Sequence, residues 1–131
     1  MMTKDEHIEF WIKNSEMDWR RAIRCFDDND FLFCLFCIHL SFEKIIKALW
    51  IKDHPDNFPP KLHNLIRILE QTTVKLEEAD LIFLNDLNRF QLEGRYPDYR
   101  GKIYKECTFE FTQIIIKKAN EVKLCLLEKL L

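Results

Sequence analysis

The chain has 131 residues, of which 47% are hydrophobic and 13% aromatic, so one hydrophobic core can form. With only two glycines and four prolines it offers few positions for tight turns, which disfavours a sandwich or barrel of many short strands. The formal net charge of -2 provides no overall basic field for DNA or an anionic membrane, so any contact with a nucleic acid must be local.

Neither a targeting segment nor a membrane span is evident in the sequence. The N-terminus, MMTKDEHIEF, lacks the basic and apolar regions of a secretory signal. The longest apolar stretch, FLFCLFCI, is far shorter than the roughly 20 residues of a membrane-spanning helix. We therefore expect a single cytoplasmic domain over residues 1–131, in which Cys25, Cys34 and Cys37 are buried reduced thiols.

The first half of the chain predicts two long helices. Apolar residues recur at steps of three and four over residues 4–27, the pattern of an amphipathic helix. The sequence DDND then ends this helix and offers Asp30 as the N-cap of a second helix over residues 31–53. The second helix is apolar nearly all round, so we expect it to be the most buried helix, and the stretch HPDNFPPK ends it.

The second half predicts one short and two long helices. They cover residues 62–71, 77–93 and 102–130, and Gly94 is expected to cap the middle one. The β-branched run Ile114–Ile116 would suit a strand, but the helical period on either side of it overrides that preference. The sequence therefore predicts an all-α fold, an up-and-down bundle of four long helices plus one short helix.

A metal site is not expected on the second helix. Cys34 and His39 point about 140° apart on a helix, so they cannot bind one ion without breaking it. The chain has no second CxxC segment to complete a ligand set, so these cysteines are interpreted as core residues.

The second helix also carries a polar stripe. His39, Glu43 and Lys47 follow one another at intervals of four residues and share one face of an otherwise apolar helix. Either Glu43 pairs with Lys47 in an intrahelical network while His39 finds a local acceptor, or the stripe faces a cleft or a subunit interface. His63, at the start of the third helix, is expected to hydrogen-bond backbone groups of its own turn.

A basic and aromatic loop, RYPDYR, lies between the two glycines of the chain. Its proline and aspartate, with the flanking glycines, suit a turn that ends one helix and begins the next. A turn leaves its arginines and tyrosines unexplained, whereas guanidinium groups bind phosphate and phenol rings stack on bases. The candidate ligand-binding residues are Arg95, Tyr96, Asp98, Tyr99, Arg100, Glu43, Lys47 and His39.

Three segments of the chain carry a family resemblance: HLSFEKIIKALWI (residues 39–51), PPKLHNLIRIL (59–69) and LNRFQLEGRYPDY (87–99). Together they resemble the HEPN family, named for nucleotide binding in higher eukaryotes and prokaryotes. The resemblance implies a bundle of four or five helices that is commonly a homodimer. It also implies a minimal nucleotidyltransferase as partner, since many bacterial members are encoded beside one, some pairs acting as toxin and antitoxin.

The chain departs from the catalytically active members of that family, which are metal-independent ribonucleases with an R-x(4–6)-H motif. From Arg95, four residues lead to Arg100 rather than to histidine. The two arginines can stabilise developing charge, but neither can accept a proton. Tyr104 resembles the tyrosine that such nucleotidyltransferase partners modify with AMP, although its spacing from the arginines differs.

The sequence therefore favours a non-catalytic module, without catalytic residues, metal or cofactor. It would bind a nucleotide, an RNA or a nucleotidyltransferase partner in a toxin–antitoxin-like system, with no DNA or membrane partner. The alternative is a divergent metal-independent ribonuclease toxin with an unrecognised base. A third interpretation is a purely structural oligomerisation unit that uses the apolar C-terminal segment KLCLLEKLL.

Overall fold

The computed structural model describes residues 1–93 and 101–131, and the described part of the chain is all-α, as predicted. No strand occurs within these ranges, and the β-branched run Ile114–Ile116 is helical. The helices are α1 (Lys4–Asp27), α2 (Phe31–Asp53), α3 (Leu65–Leu69), α4 (Glu78–Glu93), α5 (Lys102–Glu106) and α6 (Phe109–Glu128).

Helices α1 and α2 form an antiparallel hairpin. The hydroxyl of Thr3 accepts a hydrogen bond from the Glu6 backbone at 3.1 Å, and the Glu6 carboxylate accepts one from the Thr3 backbone at 3.2 Å, a capping box that begins α1. At the turn, Asn29 adopts a left-handed conformation with φ 61°. Asp30 occupies the predicted N-cap position of α2, and its backbone carbonyl accepts the first hydrogen bond of the helix, from Cys34, but its side chain forms no capping hydrogen bond.

Helix α2 forms the centre of the core, as its apolar surface predicted. Its largest buried side chains, such as Leu35, Ile38 and Phe42, have no exposed surface, and α1, α3, α4, α5 and α6 all pack against it. Burying each such side chain contributes about 1.5–3 kcal/mol. On the α1 side, the hydroxyl of Ser41 donates to the backbone carbonyl of Ser15 at 2.9 Å, so the polar groups of this close contact are paired.

The predicted single helix over residues 102–130 is wrong, because the chain forms two helices there. Gly101 has φ 67°, a left-handed conformation that suits glycine, and α5 follows it. Cys107 then leaves the helical conformation, and the hydroxyl of Thr108 accepts a hydrogen bond from the Phe111 backbone at 3.2 Å to begin α6. A threonine can cap a new helix as well as continue an old one, and here capping prevails.

The bundle therefore has four long helices and two short ones within the described residues, instead of the predicted four and one. The predicted short helix over residues 62–71 is helical only over Leu65–Leu69, because the side chain of Asn64 caps it. The predicted cap at Gly94 lies outside the described residues.

The cysteines lie between the packed helices or at their edges. Cys34 and Cys37 are buried and Cys25 is half-buried, and all three are free thiols. Burial raises the pKa of both Cys34 and Cys37 to about 12, which keeps these thiols protonated and unreactive at neutral pH. Residues 1–93 and 101–131 contain no group of three or more side chains arranged to hold a metal ion. No helix in the same ranges is long and apolar enough to cross a membrane.

The ammonium group of Lys4 ties the first turn of α1 to the end of α2. It donates to the carbonyls of Ile51 and His54 at 2.9 and 2.6 Å and to the Asn57 side chain at 2.8 Å. We expect Lys4→Met to lower the free energy of unfolding by about 1–3 kcal/mol, because carbonyls at a helix C-terminus lose a charged donor. Urea denaturation measures this change.

The matched control for this substitution is Lys13→Met. The side chain of Lys13 is 73% exposed and, among the described residues, forms an ion pair only with Glu9 of its own helix, so its loss is expected to cost less than about 0.5 kcal/mol. Equal losses for the two variants would contradict a role for Lys4 in joining α1 to the end of α2.

Candidate functional site

The candidate site is centred on the Glu43 carboxylate, which binds two partners. One oxygen lies 3.1 Å from the ammonium group of Lys47, one turn along α2. The other lies 3.0 Å from Nδ1 of His63, in the segment between α2 and α3. Glu43 and Lys47 are 6% and 5% exposed, whereas the His63 side chain is 52% exposed. A buried ion pair is therefore connected to the surface through a histidine.

The charge of Lys47 is compensated by α1 as well as by Glu43. Its ammonium group lies 5.5 Å from the centre of the Trp11 ring, a distance at which a cation is attracted to the face of an aromatic ring. Burying an ammonium group is unfavourable unless such partners are present. The predicted pairing of Glu43 with Lys47 is confirmed.

His39, the third member of the stripe, is fully buried and contacts α4. Its Nε2 lies 3.4 Å from Oδ1 of Asn88, and the same oxygen accepts a hydrogen bond from the Leu65 backbone at 2.8 Å. Since this oxygen only accepts, Nε2 must carry the hydrogen in this assignment of the amide. Desolvation lowers the pKa of His39, against the opposing influence of the Glu43 charge, and so favours the neutral ring.

Asn64 and Asn88 connect the segment that carries His63 to α4. Oδ1 of Asn64 accepts hydrogen bonds from the backbones of Ile66 and Arg67 at 3.1 and 3.2 Å, which caps α3. The amide nitrogen of Asn88 donates to the same oxygen at 3.2 Å. The position of His63 is therefore set by the start of α3, and α3 is held in turn by α4.

The predicted role of His63 is wrong. Its neighbour Asn64 supplies the hydrogen bonds to the turn, and the His63 side chain is thereby available to Glu43. Asn88 was not identified from the sequence, although it carried a signal. It stands four residues after Leu84, on the apolar face of α4, where a polar side chain must find a buried partner.

The predicted ligand-binding loop lies outside the described residues. Its candidate residues are Arg95, Tyr96, Asp98, Tyr99 and Arg100. The loop connects α4 to α5, and these two helices are themselves linked by an ion pair of Arg89 with Glu106 at 2.6 Å. Whether Glu43 and Lys47 line the same cleft as the arginines thus stays a prediction.

The cluster has a definite chemical capacity. With Nδ1 of His63 directed at a carboxylate, the ring is held in one orientation, and a neutral ring that donates from Nδ1 carries its lone pair on Nε2. When the ring is protonated, both nitrogens donate, and Nε2 can then bind an anion. Lys47 has less freedom, because Glu43 and Trp11 already surround its charge.

The comparison with known families gives a clear result. The HEPN domain profile matches residues 8–130 of the chain. The protein belongs to the HEPN domain family. Membership implies a helical module related to nucleotides or RNA, and domains of this family often dimerise. No curated protein and no solved structure shows a significant match.

We expect Glu43→Gln to lower the free energy of unfolding by about 3 kcal/mol, because it leaves the buried ammonium group of Lys47 without its carboxylate partner. Urea denaturation at pH 7 measures the change. In the control, Glu9→Gln removes an exposed carboxylate that also pairs with a lysine four residues later, and the expected loss is below about 0.5 kcal/mol. Similar values for both variants would show that the Glu43 pair is well solvated.

The lowered pKa of His39 predicts that the HEPN domain loses stability in acid. Below the ordinary histidine pKa of 6.5, the unfolded chain takes up a proton that the buried ring resists. Stability should therefore decrease as the pH falls from 6.5 towards the folded pKa, by up to about 1.4 kcal/mol per pH unit.

The variant His39→Gln should show a shallower decrease when urea unfolding is measured between pH 7.5 and 5. His7→Gln, which removes a half-buried histidine of α1, serves as the control for losing one imidazole. A slope unchanged by His39→Gln would mean that His39 titrates alike in the folded and unfolded chain.

Proposed function

We propose that this HEPN domain is a non-catalytic binding module that acts with a minimal nucleotidyltransferase in a cytoplasmic, toxin–antitoxin-like two-gene system. It would bind a nucleotide, an RNA end or the active site of its partner, and it would do so as a homodimer. The observation that carries the proposal is the contact of the buried Glu43 carboxylate with both Lys47 and the half-exposed His63.

This arrangement supports binding because it orients a surface imidazole at a cost in stability. A buried ion pair is seldom more stabilising than apolar residues of the same size, so its presence at the centre of α2 calls for another reason. Holding His63 in one orientation before a ligand arrives reduces the entropy lost on binding. An imidazolium at this position would attract phosphate, as would the guanidinium groups of Arg95 and Arg100 in the loop.

An exposed tyrosine would also be accessible to a protein partner. Tyr104, on α5, is 55% exposed, as modification by a nucleotidyltransferase would require. Three residues separate it from Arg100, the end of the proposed phosphate-binding loop. We therefore propose that the loop and Tyr104 face the same partner.

The contact between Glu43 and His63 also favours a second candidate function, metal-independent cleavage of RNA. An imidazole oriented by a carboxylate is the usual form of a general base, the group that the two loop arginines could not supply. This candidate ranks second because the chain lacks the R-x(4–6)-H motif. RNA cleavage in the presence of a chelator, lost in His63→Ala and retained in Arg24→Ala, would replace the non-catalytic proposal.

We expect Arg95→Ala to weaken binding by about tenfold or more through the loss of charge-assisted hydrogen bonds, while Tm stays nearly unchanged. The measurement is an affinity pull-down from the host's own lysate, identified by mass spectrometry. A titration with a fluorescently labelled single-stranded RNA accompanies it.

Arg24→Ala, which removes an exposed arginine from α1, is the matched control and should behave as wild type. Recovery of a nucleotidyltransferase with wild type and its loss with Arg95→Ala would support the proposal. A large fall in Tm in Arg95→Ala would assign the loop a structural role, and binding of neither probe by wild type would contradict the proposed function.

A further inference from the structure

The side chain of Asn88 links α4 to α2 and to the start of α3. Its Oδ1 accepts a hydrogen bond from the Leu65 backbone at 2.8 Å and lies 3.4 Å from Nε2 of His39. Its amide nitrogen donates to Oδ1 of Asn64 at 3.2 Å. An amide both accepts and donates, so it can serve all three partners together. A carboxylate of the same size lacks the donor, and the partners therefore require an amide at this position.

His63 stands just before these contacts, at the end of an irregular connection. Residues 54–64 join α2 to α3 without helix or strand, and α3 itself has five residues. A helix this short is not stable by itself, so its position is set by tertiary contacts. Its apolar side chains are buried, but apolar contacts have no preferred direction. The hydrogen bonds with Asn88 are directional and therefore fix the orientation of its first turn.

The contact between His63 and Glu43 depends on this orientation. Nδ1 of His63 lies 3.0 Å from the carboxylate oxygen, while α2 holds Glu43 inside the core. A functional contact requires its groups to be held within about 0.5 Å of the productive geometry. The His63 side chain is half-exposed, and Glu43 is its only side-chain hydrogen-bond partner among the described residues, so packing restrains the ring little. The backbone position of His63, one residue before Asn64, therefore decides whether the contact forms.

A second amide holds the opposite end of α3 and provides a comparison. Oε1 of Gln71, two residues after the end of α3, accepts a hydrogen bond from Nε1 of Trp50 at 2.9 Å. Both amides thus join the short helix to its neighbours, but only Asn88 does so beside His63. If the two amides merely stabilise α3, their removal should have the same consequences. If Asn88 positions His63, only its removal should release the ring.

We propose that Asn88 is a positioning residue for the anion site and acts by holding His63 against Glu43. The inference rests on the proposed function and adds the residue that prepares the site before a ligand arrives. Asn88 contacts no ligand itself. It fixes the start of α3, and the start of α3 places the imidazole with Nδ1 at the carboxylate and Nε2 available for an anion.

The first test is the protonation site of the neutral His63 ring, read by long-range proton–nitrogen NMR of the full chain. The spectra are recorded at about pH 8.5, well above the ordinary histidine pKa of about 6.5. In wild type the hydrogen should lie on Nδ1, because that nitrogen faces the carboxylate. Asn88→Ala should lose this signature, because the ring is released from Glu43. The matched control Gln71→Ala should keep it.

Circular dichroism melting of both variants precedes the NMR, because each loses hydrogen bonds that hold α3. If Asn88→Ala does not fold, Asn88→Asp replaces it. This variant keeps an acceptor for the Leu65 backbone but loses the donor to Asn64, and it should also weaken the Nδ1 signature. A folded Asn88 variant with the wild-type signature would overturn the proposal, as would an equal loss of the signature in Gln71→Ala.

The second test is a double-mutant cycle on the affinity for the fluorescently labelled single-stranded RNA. Asn88→Ala should weaken binding by roughly tenfold in the wild-type chain but by less than about twofold in the His63→Ala chain, because it acts through His63. Equal effects in the two chains would mean that Asn88 acts on the ligand by another route and would overturn the proposal. If wild type binds no RNA, the proposed function fails, whereas the NMR result still decides whether Asn88 positions His63.

Discussion

The structure depends on one constraint: α2 is apolar on nearly every side and must be covered on nearly every side. A helix of this kind is stable only inside a domain, so α1, α4 and α6 are required to surround it. The same constraint makes any polar group on α2 costly. Glu43 is tolerated because Lys47 and His63 bind its two oxygens, and Asn88 of α4 supplies a partner for Nε2 of His39.

The contacts that stabilise α2 also position the candidate functional site. The partners that satisfy the buried stripe come from the segment before α3 and from α4, so the packing that stabilises α2 also determines where His63 stands. The family's association with nucleotides and RNA is the reason why we propose an anion as the common ligand of that histidine and of the arginine loop.

Much of the fold could be predicted from residue patterns, because helix periodicity is a local property. The bounds of α1, α2 and α4 were predicted to within about one residue, well inside the usual uncertainty at helix ends. The break at Thr108 was missed because a threonine inside an apolar period satisfies both a continuing helix and a new cap. The shortened α3 was missed for the same reason, since Asn64 stands within the period but caps the helix.

The candidate site, like the fold, could be predicted from the sequence only in part. Sequence by itself determined that α2 is buried, that His39, Glu43 and Lys47 share one of its faces, and that the chain is a HEPN domain, since each follows from residue types at fixed spacing. Only the tertiary structure decided that Glu43 reaches His63 and that Asn88 holds both His39 and the start of α3. Such contacts join residues 20 to 49 positions apart, and chain spacing carries no information on which side chains the packing of helices will bring together.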